Sequence, residues 1–322
     1  MRNLKRLGVA ALGTLTAAIV VGVPMFAQGP PAAGGPGGVR VDVSGDWADR
    51  TNEDQPHRVP GPELGDYTGL PFTEAGRQKA EAWDATILSQ PERQAQPEPA
   101  QYSMRGGPAP TLRILKILHP VTQTQIAYTI AGGYARADRL VWLDGRNHPS
   151  DYSEHTWDGY STGAWDRNGQ FVVTTTHMKM GIINRNGAAT SPYGTMTERF
   201  VRHGLYLTVF WSVDDPIYLE EPMVRSNTLM WDPGGNMAVG IFLEPVDELA
   251  DKPLGWVPFF ALGTHQTEFA ENNDIPFKAT QGGKESLYPE YVDKIKQYAA
   301  EEAAEKAAAK KLEETKPAAK KR

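Results

Sequence analysis

The sequence predicts a mainly β protein: an antiparallel lipocalin-like barrel or sandwich with peripheral helices. Apolar and polar residues alternate in run after run. In residues 205–213, Leu205, Leu207, Val209, Trp211 and Val213 form one face, and Tyr206, Thr208, Phe210 and Ser212 the other. That is the pattern of a strand with one side in a core. Tight turns separate the runs, and the clearest is Asp166-Arg167-Asn168-Gly169, where Asn-Gly between alternating segments signals a hairpin. No strand–helix–strand rhythm is present, which argues against a doubly wound parallel sheet.

The elements follow in order. Residues 39–47 read as a first strand, and 56–71, broken by prolines and glycines, as loop. Thr73 is placed to cap a helix near 73–89, with Glu74 in its first turn and Ala80, Trp83 and Ile87 on one face. Gly76 weakens that helix by about 1 kcal/mol relative to alanine. Residues 90–110 return to Pro-rich loop. Strands are expected at 112–118, 125–130, 139–143, 164–165, 170–177, 195–202, 205–213 and 223–231, with turns at 120–124 and at His203-Gly204. Residues 259–289 read as mixed loop. A helical tail of Ala, Glu and Lys (289–322) starts with Val292, Ile295 and Ala299 on one face and ends in a basic cluster.

The N-terminus reads as a targeting segment. Arg2, Lys5 and Arg6 precede an uncharged run over 7–23, Pro24 breaks it, and Ala27 offers a cleavage site before Gln28. This is the layout of a secretory signal peptide over 1–27, with an uncleaved membrane anchor as the rival. Residues 28–38, almost all Gly, Pro and Ala, form a flexible spacer. A single β-rich domain is expected over 39–288. The mature chain is expected to be exported, to the periplasm or beyond, with no transmembrane span after cleavage. The chain has no cysteine, which excludes disulfides, thiolate metal sites and cysteine nucleophiles. The net charge of -6 argues against a nucleic-acid partner, which requires a basic footprint.

Candidate functional residues concentrate between Arg139 and Asn186, where three of the seven histidines fall. His177 extends the alternation of Phe171, Val173 and Thr175, so it is expected to face inward near a strand end as a general acid or base. The other reading is a histidine held by structural hydrogen bonds. Asp144 and Arg146 can pair within a turn, or Arg146 can hold a ligand carboxylate. These three are the catalytic candidates. His148, His155, Trp157, Ser161, Trp165 and Arg185 are the binding candidates, with Trp142 as a further wall of a cleft. Gly159-Tyr160-Ser161-Thr162-Gly163 matches the nucleophile-elbow pattern, but a hairpin follows it where that motif needs a helix. The histidine spacing carries no metal signature, so no metal is assigned. No cofactor is indicated. Asp214-Asp215-Pro216 reads as a turn.

At these residues the chain resembles a family of exported bacterial proteins of unknown function. The resemblance rests on Gly45-Asp46-Trp47, Gly69-Leu70-Pro71 with Gly76-Arg77, the stretches 142–149 and 156–165, Val172-Val173-Thr174-Thr175-Thr176-His177, Arg185-Asn186-Gly187 and Tyr288-Pro289-Glu290-Tyr291. It covers most of the mature chain except spacer and tail, and implies no activity. The turn at Asp166–Gln170, which is shorter and more acidic in that family, and the stretch 234–262 depart from its pattern.

Three functions fit the sequence. The first is binding of a small, partly apolar molecule in a barrel cleft, with Asp144, Arg146, His148, His155, Trp157 and His177 at its mouth. The second is a hydrolase, hydratase or isomerase using the His/Asp/Arg cluster at the same cleft. The third is an interaction protein of the cell envelope. The oligomeric state is left open.

Overall fold

The computed structural model describes residues 40–50, 61–83, 99–104, 111–132, 138–234, 261 and 263–314. The expected signal peptide and spacer, the second half of the expected N-terminal helix, most of 235–262 and the end of the tail lie outside the described residues.

Eleven strands are described: β1 (Gly45–Asp49), β2 (Thr111–Leu118), β3 (Gln125–Gly132), β4 (Arg139–Trp142), β5 (Tyr160–Trp165), β6 (Phe171–Thr176), β7 (Gly181–Ile182), β8 (Ala189–Thr190), β9 (Thr195–His203), β10 (Tyr206–Asp214) and β11 (Met223–Trp231). Nine of them close a barrel in the order β1-β11-β10-β9-β6-β5-β4-β3-β2, with β1 pairing both β11 and β2. β7 and β8 form a separate two-stranded sheet.

The expected hairpins form. β9 and β10 pair from His203↔Tyr206 to Thr195↔Asp214, and β10 continues onto β11. Leu207, Val209, Trp211 and Val213 are buried as the alternation requires, whereas Leu205 falls in the turn and is exposed. In the β5–β6 turn, Asp166 Oδ1 accepts from the backbone N–H of Asn168 (2.8 Å) and of Gln170 (3.0 Å). Gly169 supplies the positive φ of 77° that this turn needs.

One pairing departs from the antiparallel expectation. β4 and β5 run parallel, joined by the register pairs Val141↔Ser161 and Trp142↔Thr162, so the barrel is mixed. A parallel neighbour is reached only by a crossover. Residues 143–159 are that crossover.

The barrel interior is filled by side chains. Trp47, Leu112, Ile114, Tyr128, Ile130, Phe171, Phe200 and Trp211 are all essentially inaccessible. One end is closed by the chain before β1: Val41 N–H donates to Gly169 O, and Trp165 Nε1 donates to Val41 O. The opposite end is covered by a short helix, α2 (Ala100–Ser103), where the sequence predicted loop. The inward-facing Asn227 donates to the Met104 carbonyl, and Gln101 Nε2 donates to Thr190 Oγ1 at 2.5 Å. Proline-rich flanks hide this helix from a periodicity reading, because one turn is too short to show a period.

The first helix, α1 (Glu74–Glu81), begins as expected: Thr73 Oγ1 accepts from Gly76 N–H at 3.1 Å. The helix ends at Ala82, within the expected span. Residues 259–289 do not stay irregular. They hold α3 (Glu268–Asn272), α4 (Phe277–Thr280) and a 3-10 turn (Gly283–Leu287). The final helix, α5 (Tyr291–Glu314), docks through Tyr291, Ile295 and Tyr298; Val292 and Ala299 are exposed. Tyr291 Oη donates to Ala279 O at 2.8 Å. That hydrogen bond sets the docking face one position away from the one predicted. No helix among the described residues is long and apolar enough to cross a membrane.

Gly76 sits in α1 because there is no room for a side chain; a Cβ would be driven into the Tyr218 carbonyl oxygen. Gly76→Ala is therefore expected to lower stability by roughly 1–2 kcal/mol, the clash outweighing the gain in helix propensity. Thermal unfolding of the variant against wild type checks this.

Candidate functional site

Two polar clusters sit back to back on the wall formed by β4, β5, β6 and β9. The sequence-predicted residues divide between them and the two barrel ends.

The outer cluster belongs to the crossover. In β5 and β6, Ser161 and Thr175 are buried, so their neighbours Tyr160, Thr162 and Thr176 face outward. His148 lies across this outer face, with Nδ1 2.7 Å from Thr176 Oγ1 and Nε2 2.8 Å from Thr162 Oγ1. Its ring meets Tyr160 edge to face. Burial, helped by the nearby His177, pushes the His148 pKa below the ordinary value of 6.5. His177 Nδ1 also approaches Thr176 Oγ1 (2.7 Å), and its Nε2 lies 2.9 Å from the Ser150 carbonyl. His155 Nδ1 bonds the Met178 carbonyl at 3.0 Å, and its ring packs 5.2 Å from that of His177.

The expectation that His177 faces the interior fails for a local reason. β6 ends at Thr176, and His177 has a φ of 56°. That left-handed residue breaks the alternation, and the ring turns to the crossover.

Asp144 and Arg146 pair with each other. The carboxylate accepts from Arg146 Nε (2.9 Å) and Nη2 (2.6 Å), and the guanidinium lies 3.6 Å from the centre of the Trp142 ring. The hydrogen bonds from Arg146 hold the Asp144 carboxyl below the usual carboxylate range. Trp157 is partly exposed, with Lys179 Nζ 5.4 Å from its ring centre.

The inner cluster was not singled out from the sequence. Arg139 of β4 makes a bidentate ion pair with Glu198 of β9, at 2.5 Å and 2.8 Å, and donates to Thr175 Oγ1 at 3.1 Å. Thr175 Oγ1 lies 2.8 Å from Ser161 Oγ. Glu198 and Thr175 are fully buried, Ser161 is 1% exposed and Arg139 3%. The alternation did carry a signal. Glu198 is in phase with Met196 and Phe200, and Arg139 with Val141, so both charges point inward. Ser161 is thus a strand residue in a buried network, with its histidines on the opposite face of the wall. It has none of the surroundings of an activated nucleophile.

Trp165 and Arg185 sit at the barrel ends. Trp165 belongs to the closure made by Val41, and packs on Phe171 and Tyr128. Arg185 Nε donates to Tyr102 Oη at 3.0 Å, in the closure made by α2. Among the described residues two deeply buried polar atoms, Gln101 Oε1 on α2 and Trp211 Nε1 on the inward face of β10, have no hydrogen-bond partner. Trp211 stands in register between Glu198 and Arg225. Asp215, expected in a turn, accepts from Ser191 Oγ, Ile217 N–H and Tyr218 N–H.

Among the described residues no group of three or more His, Asp or Glu is placed to hold a metal ion. Compared with protein-family models, curated proteins and solved structures, the chain has no match.

The inner ion pair offers a direct stability test. Removing one partner from a buried pair leaves a bare charge, so Glu198→Ala is expected to cost about 3–5 kcal/mol. The double variant Arg139→Met/Glu198→Leu, which buries no charge, is expected to recover most of that loss in urea unfolding.

Proposed function

We propose that the barrel binds a small, partly apolar molecule at the end covered by α2. The observation that carries this reading is the pair of unpartnered buried polar atoms, an acceptor on α2 (Gln101 Oε1) and a donor on the inward face of β10 (Trp211 Nε1). A buried polar atom without a partner costs about 1–3 kcal/mol, which a ligand with matching groups returns. The fitting chemistry is a hydroxyl or amide that accepts from Trp211 and donates to Gln101, on an apolar body. This departs from the mouth first expected, because Asp144, Arg146, His148, His155 and His177 satisfy one another or the outer wall. It also weighs against the enzyme reading, since no base reaches Ser161 and the Asp144–Arg146 pair is closed on itself.

The N-terminal charge pattern and the resemblance to exported bacterial proteins support a place outside the cytoplasm. N-terminal sequencing of protein from the native cell envelope is expected to start at Gln28; a retained Met1 would favour a membrane anchor.

Native mass spectrometry of that protein is expected to show an organic adduct lost on denaturation. Trp211→Phe removes the donor without breaking a hydrogen bond of the fold, and is expected to weaken the adduct about tenfold, or 1.4 kcal/mol. A bare polypeptide mass together with a silent ligand screen would overturn the reading.

A further inference from the structure

The hydrogen bonds of the outer cluster have only one consistent polarity when the histidines are neutral. The Ser150 carbonyl accepts only, so His177 Nε2 carries the proton and His177 Nδ1 must accept. Thr176 Oγ1 therefore donates its single proton to His177 Nδ1. It is left to accept from His148 Nδ1–H, so His148 Nε2 accepts from the Thr162 hydroxyl. The chain thus runs Thr162 to His148 to Thr176 to His177 to Ser150, every proton assigned. It fastens the middle of the crossover to β5 and β6.

A proton added to either ring breaks this order. A charged His177 must donate from Nδ1 into Thr176 Oγ1, which already accepts from His148; the hydroxyl proton then loses its acceptor. A charged His148 turns the Thr162 hydroxyl from donor to acceptor, and places a cation beside His177. Among the described residues no carboxylate bonds either ring to compensate. Facing these rings are Tyr160, Thr162 and Thr176 from β5 and β6, the Ser150 and Met178 carbonyls, and His155. The crossover carboxylates Asp151, Glu154 and Asp158 make no hydrogen bond or ion pair with any of the three rings, and Asp144 is taken by Arg146.

We infer that the middle of the crossover, residues 144–155, is a pH-sensitive strap that grips the barrel wall while His148 and His177 are neutral and lets go when they take up protons. The direction agrees with the lowered His148 pKa. A histidine whose folded pKa lies below its unfolded value of about 6.5 stabilises the gripped state fully above that pH. The stabilisation fades as the pH falls towards the folded pKa. Release bares the outer face of β5 next to the parallel β4–β5 seam, which has only two register pairs. The inference stands whether or not the barrel takes a ligand.

Hydrogen exchange read by mass spectrometry, corrected for the intrinsic rate, tests it. Between pH 7.5 and pH 5, protection of residues 147–156 in the full-length protein is expected to fall at least tenfold, while β9 and β10 stay protected. His148→Gln is expected to weaken that pH dependence and the double variant His148→Gln/His177→Gln to abolish it, whether the strap is then permanently held or permanently loose. His203→Gln, which changes a ring bonded to Thr208 at the far end of β9, is expected to behave as wild type. Unchanged strap protection across this range would overturn the inference, and so would an unaltered pH response in His148→Gln.

Discussion

Parallel strands cannot be joined by a hairpin, and the pairing of β4 with β5 imposes that constraint on this barrel. Every other adjacent pair in the barrel is antiparallel. The chain must leave β4 at one level, travel the length of the wall and enter β5 from the far end. This path lays residues 143–159 over the outer face and brings His148 and His155 up to His177. The constraint also creates a weakness, because a seam of two register pairs has little ladder of its own.

Both faces of the wall compensate for that weakness. Inside, Arg139, Ser161, Thr175 and Glu198 come from β4, β5, β6 and β9, four successive strands of the barrel, and their hydrogen bonds cross the seam. Desolvating such an ion pair costs several kcal/mol per charge, so it adds little net stability. Its bidentate geometry instead fixes which residues meet, and a slip of register by one residue would leave both charges facing solvent or unpaired. Outside, the His148 and His177 hydrogen bonds hold the crossover to β5 and β6. The inner fastening is permanent, since neither partner is accessible. The outer one is made of imidazoles, whose hydrogen-bond roles change when a ring takes up a proton.

The two barrel ends differ in chemistry. The end below β1 is closed by aromatic groups: Trp47 lies tilted against Trp231, and the Arg202 guanidinium stands 5.1 Å and 4.4 Å from their ring centres. The α2 end is polar, closed by Gln101, Asn227, Arg185 and Tyr102.

The amino-acid sequence by itself determined the mainly β class, the hairpins around Asn168-Gly169 and His203-Gly204, the Thr73 cap and the turn at Asp215. Each of these rests on neighbours within a few residues, where period, glycine conformation and short side chains act directly. It also located the polar region between Arg139 and Asn186. Only the tertiary structure decided on which side of the wall each of those residues lies. Strand order is a long-range property, so the parallel β4–β5 pairing could not be read from local alternation. The positive φ at His177, one residue past the end of β6, could not be read from it either. Arg139 and Glu198 were visible as inward-phased charges, but nothing local says that two charges 59 residues apart will meet. That meeting depends on the closure of the barrel, which brings β4 and β9 to the same interior.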